Sequence, residues 1–202
     1  MLILFLVIGY LFGSIPWGLV VGKAFFNIDI RKYGSGNLGG TNAGRVLGKY
    51  YGFLVAFLDA LKAFVPVLLV SLYHKDYAVM TGMMCAVGHC YPLFAEFKGG
   101  KAVASTFGYF LAVGLFILKD ISIFIISLSL FVLILVITSY VSLASIISVS
   151  IASILTLLQS NIYVIVCTFL LSALIIYRHR SNIKRLIDKT ENKVVVFKNK
   201  KI

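Results

Sequence analysis

Seven apolar runs constrain this chain more than anything else in it. They cover residues 1–21, 51–72, 77–94, 102–118, 121–137, 141–158 and 162–177, and a helix needs roughly 17 to 25 apolar residues to cross a bilayer core. Hydrocarbon offers no water to backbone N–H and C=O groups, so such runs fold as helices that satisfy their own hydrogen bonds. The expected fold is an all-α membrane protein, a bundle of seven transmembrane helices with cytoplasmic glycine-rich loops, forming a single domain over residues 1–202. The breaks at Lys119-Asp120 and near residues 138–140 are weak, so five or six spans also fit. A hydrophobic share of 60% excludes an ordinary soluble domain.

Charge fixes the expected orientation. With the N-terminus outside, sixteen of the nineteen Lys and Arg residues fall on the inner face, including nine in the C-terminal tail 178–202. Lys75 and Lys119 remain outside, and Lys62 lies within a span. The positive-inside rule then places the tail and the polar loops in the cytoplasm. The net charge of +12 is accordingly a topology signal, and nucleic acid is not the expected partner. The first run lacks a preceding basic region and a small-residue cleavage pattern, so it reads as a retained helix. Cys85, Cys90 and Cys167 have neither disulfide nor zinc spacing and read as small apolar fillers.

Three polar segments interrupt this pattern on the inner face. The first is Gly34-Ser-Gly-Asn-Leu-Gly-Gly-Thr-Asn-Ala-Gly-Arg45. Its glycines let successive N–H groups converge on one point, which suits an anion. Ser35, Asn37, Thr41 and Asn42 add side-chain donors, and Arg45 adds a planar fork matched to phosphate or carboxylate. The literal G-x-G-x-x-G at residues 34–39 is not a dinucleotide fingerprint, because no strand precedes it.

The second segment is Gly88-His-Cys-Tyr-Pro-Leu-Phe-Ala-Glu-Phe-Lys-Gly-Gly-Lys101. Gly99, Gly100 and Lys101 at the start of a helix suit phosphate, although Ala95 and Ala102 rule out a Walker A loop. Positive-inside flanking is the plainer reading of Lys98 and Lys101. His89 reads either as a general base or as a structural group tied to the loop. Asp59 and Lys62 share a helical face inside the second span and read as a structural ion pair. The third segment, Arg178-His-Arg-Ser-Asn-Ile-Lys-Arg185, is a basic juxtamembrane cluster suited to anionic lipid headgroups. His179 and Asn182 share one of its faces if the helix continues. No cluster has metal-ligand spacing, and neither a metal nor another cofactor is expected.

These three segments resemble, in order, the signature segments of the bacterial acyl-phosphate:glycerol-3-phosphate acyltransferases, the PlsY family. Gly13-Ser-Ile-Pro-Trp-Gly18 and Leu58-Asp-Ala-Leu-Lys62 look like that family's first two spans. The resemblance implies transfer of a fatty acyl group from acyl phosphate to the sn-1 hydroxyl of glycerol 3-phosphate. The products are lysophosphatidic acid and phosphate, with no acyl-enzyme. It further implies a monomer in the bacterial cell membrane, with its active site cytoplasmic. Carried over by position, Ser35, Arg45, Lys101, His179 and Asn182 form the catalytic set. Gly36, Asn37, Thr41, Asn42, Gly99, Gly100 and Arg178 form the phosphate-binding set.

The sequence departs from the family pattern at Leu38, Gly40, Ala102, Ser105 and Asp188-Lys189. Ala102 and Lys189 stand where glycine is the family's more usual residue. A transporter for a phosphorylated metabolite is the competing reading, but transporters place their site near the midplane between repeats. Here the donors gather on one face.

Overall fold

The computed structural model describes residues 1–194, and no strand occurs among them. The helices are α1 (Leu2–Gly13), α2 (Trp17–Phe26), α3 (Gly40–Val46), α4 (Lys49–Ser71), α5 (Lys75–Cys90), α6 (Val103–Val113, extended by a π-helical turn Gly114–Leu118), α7 (Ser122–Thr138), α8 (Val141–Thr156), α9 (Ile162–Arg178) and α10 (Arg180–Ile187). Leu2–Phe26, Lys49–Ser71 and Lys75–Ala95 are long and apolar enough to cross a membrane. The pair α9 and α10, bent by 57°, qualifies as a fourth. The apolar helices Val103–Leu118, Ser122–Thr138 and Val141–Thr156 are shorter than the 18 residues of a full span.

The surface is that of an integral membrane protein. Phe53, Ile137 and Leu158 are 74%, 72% and 82% exposed, while Thr81, Thr106, Ser145 and Ser148 are completely buried. With lipid as solvent, apolar side chains gain little by leaving the surface, and helices pack through small residues instead. A Cβ on Gly13 would fall on the Cys85 carbonyl, and one on Gly88 on the Tyr10 carbonyl, so α1 and α5 meet backbone to backbone. Gly108 of α6 lies in the same way against the Ala60 carbonyl of α4.

Two prolines shape the helices around the polar interior. The first apolar run is broken at Ser14 to Pro16 and resumes as α2, which runs past the expected end at Val21. Pro16 lacks an N–H, and the break leaves the Ile15 carbonyl to accept from Lys62 Nζ at 2.8 Å. Pro66 lies inside α4 and cannot donate to the Lys62 carbonyl one turn back. Cys85 Sγ donates to that carbonyl instead, at 3.3 Å. Cys85, expected only as a filler, thus satisfies a backbone acceptor that water cannot reach.

A small core of Ile30, Leu38, Ala43 and Val55 seats the first polar segment against α4. That segment is not a loop throughout, because Gly40–Val46 is helical. Residues 180–187 form α10, and the Val194 N–H donates to the Ser139 carbonyl on the bundle. The Val194 to Phe197 run, expected as a strand or surface segment, lies beyond Val194 outside the described residues.

Ala102 has φ +61° and Lys189 φ +57°, so both departures from the family's glycines fall in the left-handed region. An L-residue pays about 1–2 kcal/mol there. Ala102→Gly and Lys189→Gly should each raise the unfolding free energy by about 1 kcal/mol, the strain relieved less the entropy glycine adds to the unfolded chain. Thermal unfolding in detergent checks this, with Ala86→Gly in the middle of α5 expected to move stability the opposite way.

Candidate active site

The three polar segments converge at one end of the bundle. In the first, Asn42 is almost wholly buried and holds the turn together. Its Oδ1 accepts the Ser35 N–H at 2.8 Å, and its Nδ2 donates to the carbonyls of Ile30 and Tyr33 at 3.1 and 3.2 Å. Asn37 Oδ1 accepts the Gly39 N–H at 3.0 Å. The Asn42 amide, expected as a phosphate donor, is occupied in shaping the loop, because a left-handed turn at Gly34 and Gly36 leaves buried backbone groups that need partners. Asn37 spends only its oxygen there. Ser35, Thr41 and Arg45 are exposed, and their side chains make no hydrogen bond among the described residues. With the Asn37 amide they are free donors of this segment.

The second segment is clamped from both sides. The Gly100 N–H donates to the His89 carbonyl at 2.9 Å. Arg178 of the third segment donates to the carbonyls of Gly100 and Gly99, both at 3.1 Å, and lies over the Tyr91 ring at 5.1 Å. Arg178 and the paired glycines were expected to meet phosphate directly. Here the guanidinium instead fixes the turn that carries Lys101. Lys98 points elsewhere and pairs with exposed Glu96 at 3.2 Å. Glu96 also meets Arg31 at 3.3 Å, which ties the first segment to the second.

Lys101 is where the segments meet. Its ammonium donates to Asn182 Oδ1 on α10. The Asn182 amide donates in turn to Glu191 Oε1 at 2.6 Å, and Glu191 also accepts from Ser142 at 2.8 Å and from Arg185 at 2.7 Å. Burial, reinforced by the cations Arg185, Arg178 and Arg45 and opposed by Glu191, brings the Lys101 amine down to about 8. Burial works against ionisation of Glu191, but bonds from Asn182, Ser142 and Arg185 outweigh it and hold the carboxyl below its usual range.

The expectation that His179 and Asn182 share a face of one continuous helix is corrected. The helix breaks at His179, whose N–H reaches back to Ile175 and Ile176 and whose Nδ1 lies 2.8 Å from the Ile175 carbonyl. Both side chains are nevertheless buried beside Lys101, because the 57° bend folds α10 back onto the bundle. Burial, with Lys101 adding to it, lowers the His179 pKa to about 4. A neutral ring with Nδ1–H on the carbonyl has Nε2 as acceptor.

Deeper in the bundle, Lys62 Nζ lies 2.8 Å from Asp59 Oδ1, and His89 Nδ1 lies 3.3 Å from the same oxygen. Sequence reasoning missed Glu191 and Ser142 altogether. The only signal was an acid surrounded by fixed positive charge in Asp188-Lys-Thr-Glu-Asn-Lys193. Among the described residues no cluster of His, Cys, Asp and Glu has a geometry to hold a metal ion.

Residues 3–189 match the family model described as glycerol-3-phosphate acyltransferase. The chain is 45% identical over 192 residues to the glycerol-3-phosphate acyltransferase of Macrococcus caseolyticus, covering 95% of this chain and 96% of that one. It is 43% identical to that of Bacillus cytotoxicus, with 98% of each covered. Among solved structures, PlsY in its glycerol 3-phosphate form superposes with a TM-score of 0.89 at 38% identity, covering 98% of this chain and 99% of that one. The lysophosphatidic acid form gives 0.86, covering 95% and 94%.

Glu191→Ala should unpair Arg185, Asn182 and Ser142 together and lower the unfolding free energy by about 1–3 kcal/mol. Thermal unfolding in detergent reads this. An unchanged midpoint would show that Glu191 does not hold α10 to the bundle.

Proposed function

Because the chain belongs to the glycerol-3-phosphate acyltransferase family, we propose that it takes its acyl group from an acyl phosphate and passes it directly to the sn-1 hydroxyl of glycerol 3-phosphate. The products are lysophosphatidic acid and inorganic phosphate. The observation that carries this reading is the convergence on Lys101. Arg45, Arg178 and Arg185 stand within electrostatic reach of its ammonium, at the junction of three separate segments. Such a site suits a reaction whose main obstacle is bringing two phosphate anions together.

A mixed anhydride is already activated, and phosphate leaves without help from a covalent intermediate. The three cysteines are buried in helices, which supports direct transfer. The hydroxyl oxygen attacks the acyl carbon, the carbon–oxygen bond to phosphate breaks, and the electron pair leaves on phosphate. Arg45 and Lys101 offset the repulsion between the two anions. Ser35, Thr41 and loop N–H groups take the leaving phosphate, with Gly36 allowing the backbone turn that presents them. The proton goes to a phosphate oxygen. His179 keeps one ring nitrogen on the Ile175 carbonyl, and the His89 ring is packed against Gly100. The reading includes seven membrane-crossing helices and a monomeric state, with an outside N-terminus and a cytoplasmic active face that the distribution of Lys and Arg supports.

Purified protein given acyl phosphate and labelled glycerol 3-phosphate should form labelled lysophosphatidic acid, and acyl-CoA or acyl carrier protein should not replace the donor. Lys101→Ala and Arg45→Ala should each lower kcat/KM by about 100-fold or more. Activity unaffected by either change would overturn the site.

The Lys101 charge also sets a pH limb. The ammonium is present below its pKa and lost above it, so kcat/KM should fall as pH rises through about 8. Lys101→Arg, where active, should move that limb upward, since guanidinium does not titrate in this range.

A further inference from the structure

The buried cluster of Asp59, Lys62 and His89 touches no free donor of the site, yet it stands directly behind the turn that carries Lys101. All three side chains are more than nine-tenths buried. Lys62 spans from Asp59 to the Ile15 carbonyl at the break of the first span, 2.8 Å to each. His89 stands between Asp59, 3.3 Å from its Nδ1, and Gly100, whose missing Cβ would fall on Nε2. The His89 carbonyl accepts the Gly100 N–H, and it also occupies the place of a Gly99 Cβ. A small cavity of about 10 Å³, lined by Trp17, Asp59, Lys62 and His89, reaches Leu38 of the first segment and Gly100 of the second.

We propose that Asp59 is a positioning residue: by fixing the His89 ring it sets the Gly99-Gly100 turn from below, and so places the Lys101 ammonium against Asn182. The carboxylate backs the ring at Nδ1, 3.3 Å away, as a close polar contact that is not aligned as a hydrogen bond. The two glycines are required because any side chain at either position would displace that floor or the carbonyl beside it. Arg178 closes the turn from the other side. Lys62 makes the arrangement sustainable inside the bundle, since a buried carboxylate needs a partner charge.

Two variants test this. Asp59→Leu/Lys62→Met removes both charges and the oxygen that faces His89, leaving no unpaired ion to unfold the protein. Labelling of Lys101 by an amine reagent, followed by mass spectrometry, should then rise severalfold over wild type while Lys75 and Lys98 are unchanged. The kcat/KM for acyl transfer should fall about tenfold or more, as expected of a displaced catalytic group. The kinetic arm rests on the acyl-phosphate reading above and the labelling arm does not, so failures of the two are distinguishable. Wild-type labelling of Lys101 in the folded double variant would overturn the proposal.

Should that variant not fold, the cycle of Gly100→Ala and His89→Ala decides. Gly100→Ala alone should be strongly impaired, and adding His89→Ala should restore activity and wild-type Lys101 labelling in part, because the new methyl group then has space. A double variant worse than either single one would overturn the floor.

Discussion

The contact between Lys101 and Asn182, eighty-one residues apart in the chain, is the interaction on which the rest of this active end depends. It joins a glycine turn at the start of α6 to a short helix that has left the line of its own span. Each partner is held from behind. Arg178 grips the carbonyls before Lys101, and Glu191 takes the amide of Asn182 while also holding Ser142 and Arg185. Fixed partners of this kind cut the reorganisation needed when a charged substrate arrives.

The same economy of polar groups runs through the bundle interior. A carbonyl freed by Pro66 is taken by a thiol, and one at the break before Pro16 is taken by a lysine that also neutralises Asp59. In a bilayer these groups have no water to fall back on, so both of these departures from regular helix are matched by a side chain from another helix. Removing one member of a buried ion pair of this kind costs about 3–5 kcal/mol, because the survivor is left uncompensated.

Much of this was legible in the sequence. Apolar runs separated by glycine-rich polar segments placed the helices and gathered the donors at one end, and Asp59 and Lys62 stood out as charges inside a span. Pattern fails where a side chain bonds to a distant backbone. Arg178 carries the same charge whether it meets a phosphate or the carbonyls of Gly99 and Gly100, and nothing local to Asn42 says that its amide is used up on Ile30 and Tyr33. The break at His179 has no proline or glycine to announce it. Glu191 was lost among tail residues because its three partners come from α8 and α10, and only folding brings these together. Ala102 and Lys189 are the reverse case, where two unusual residues turned out to mark left-handed backbone.

Family membership establishes a glycerol-3-phosphate acyltransferase, and the proposal goes further, to direct transfer from an acyl phosphate to glycerol 3-phosphate with Arg45 and Lys101 offsetting the two phosphate charges. Isotope exchange tests that claim most directly. Purified protein is incubated with acyl phosphate and radiolabelled inorganic phosphate, without glycerol 3-phosphate, and label in the acyl phosphate is measured over many turnover times. Direct transfer gives no exchange, since the acyl group never leaves phosphate without an acceptor. Label entering acyl phosphate at a rate near that of turnover would reveal an acyl-enzyme and contradict the account.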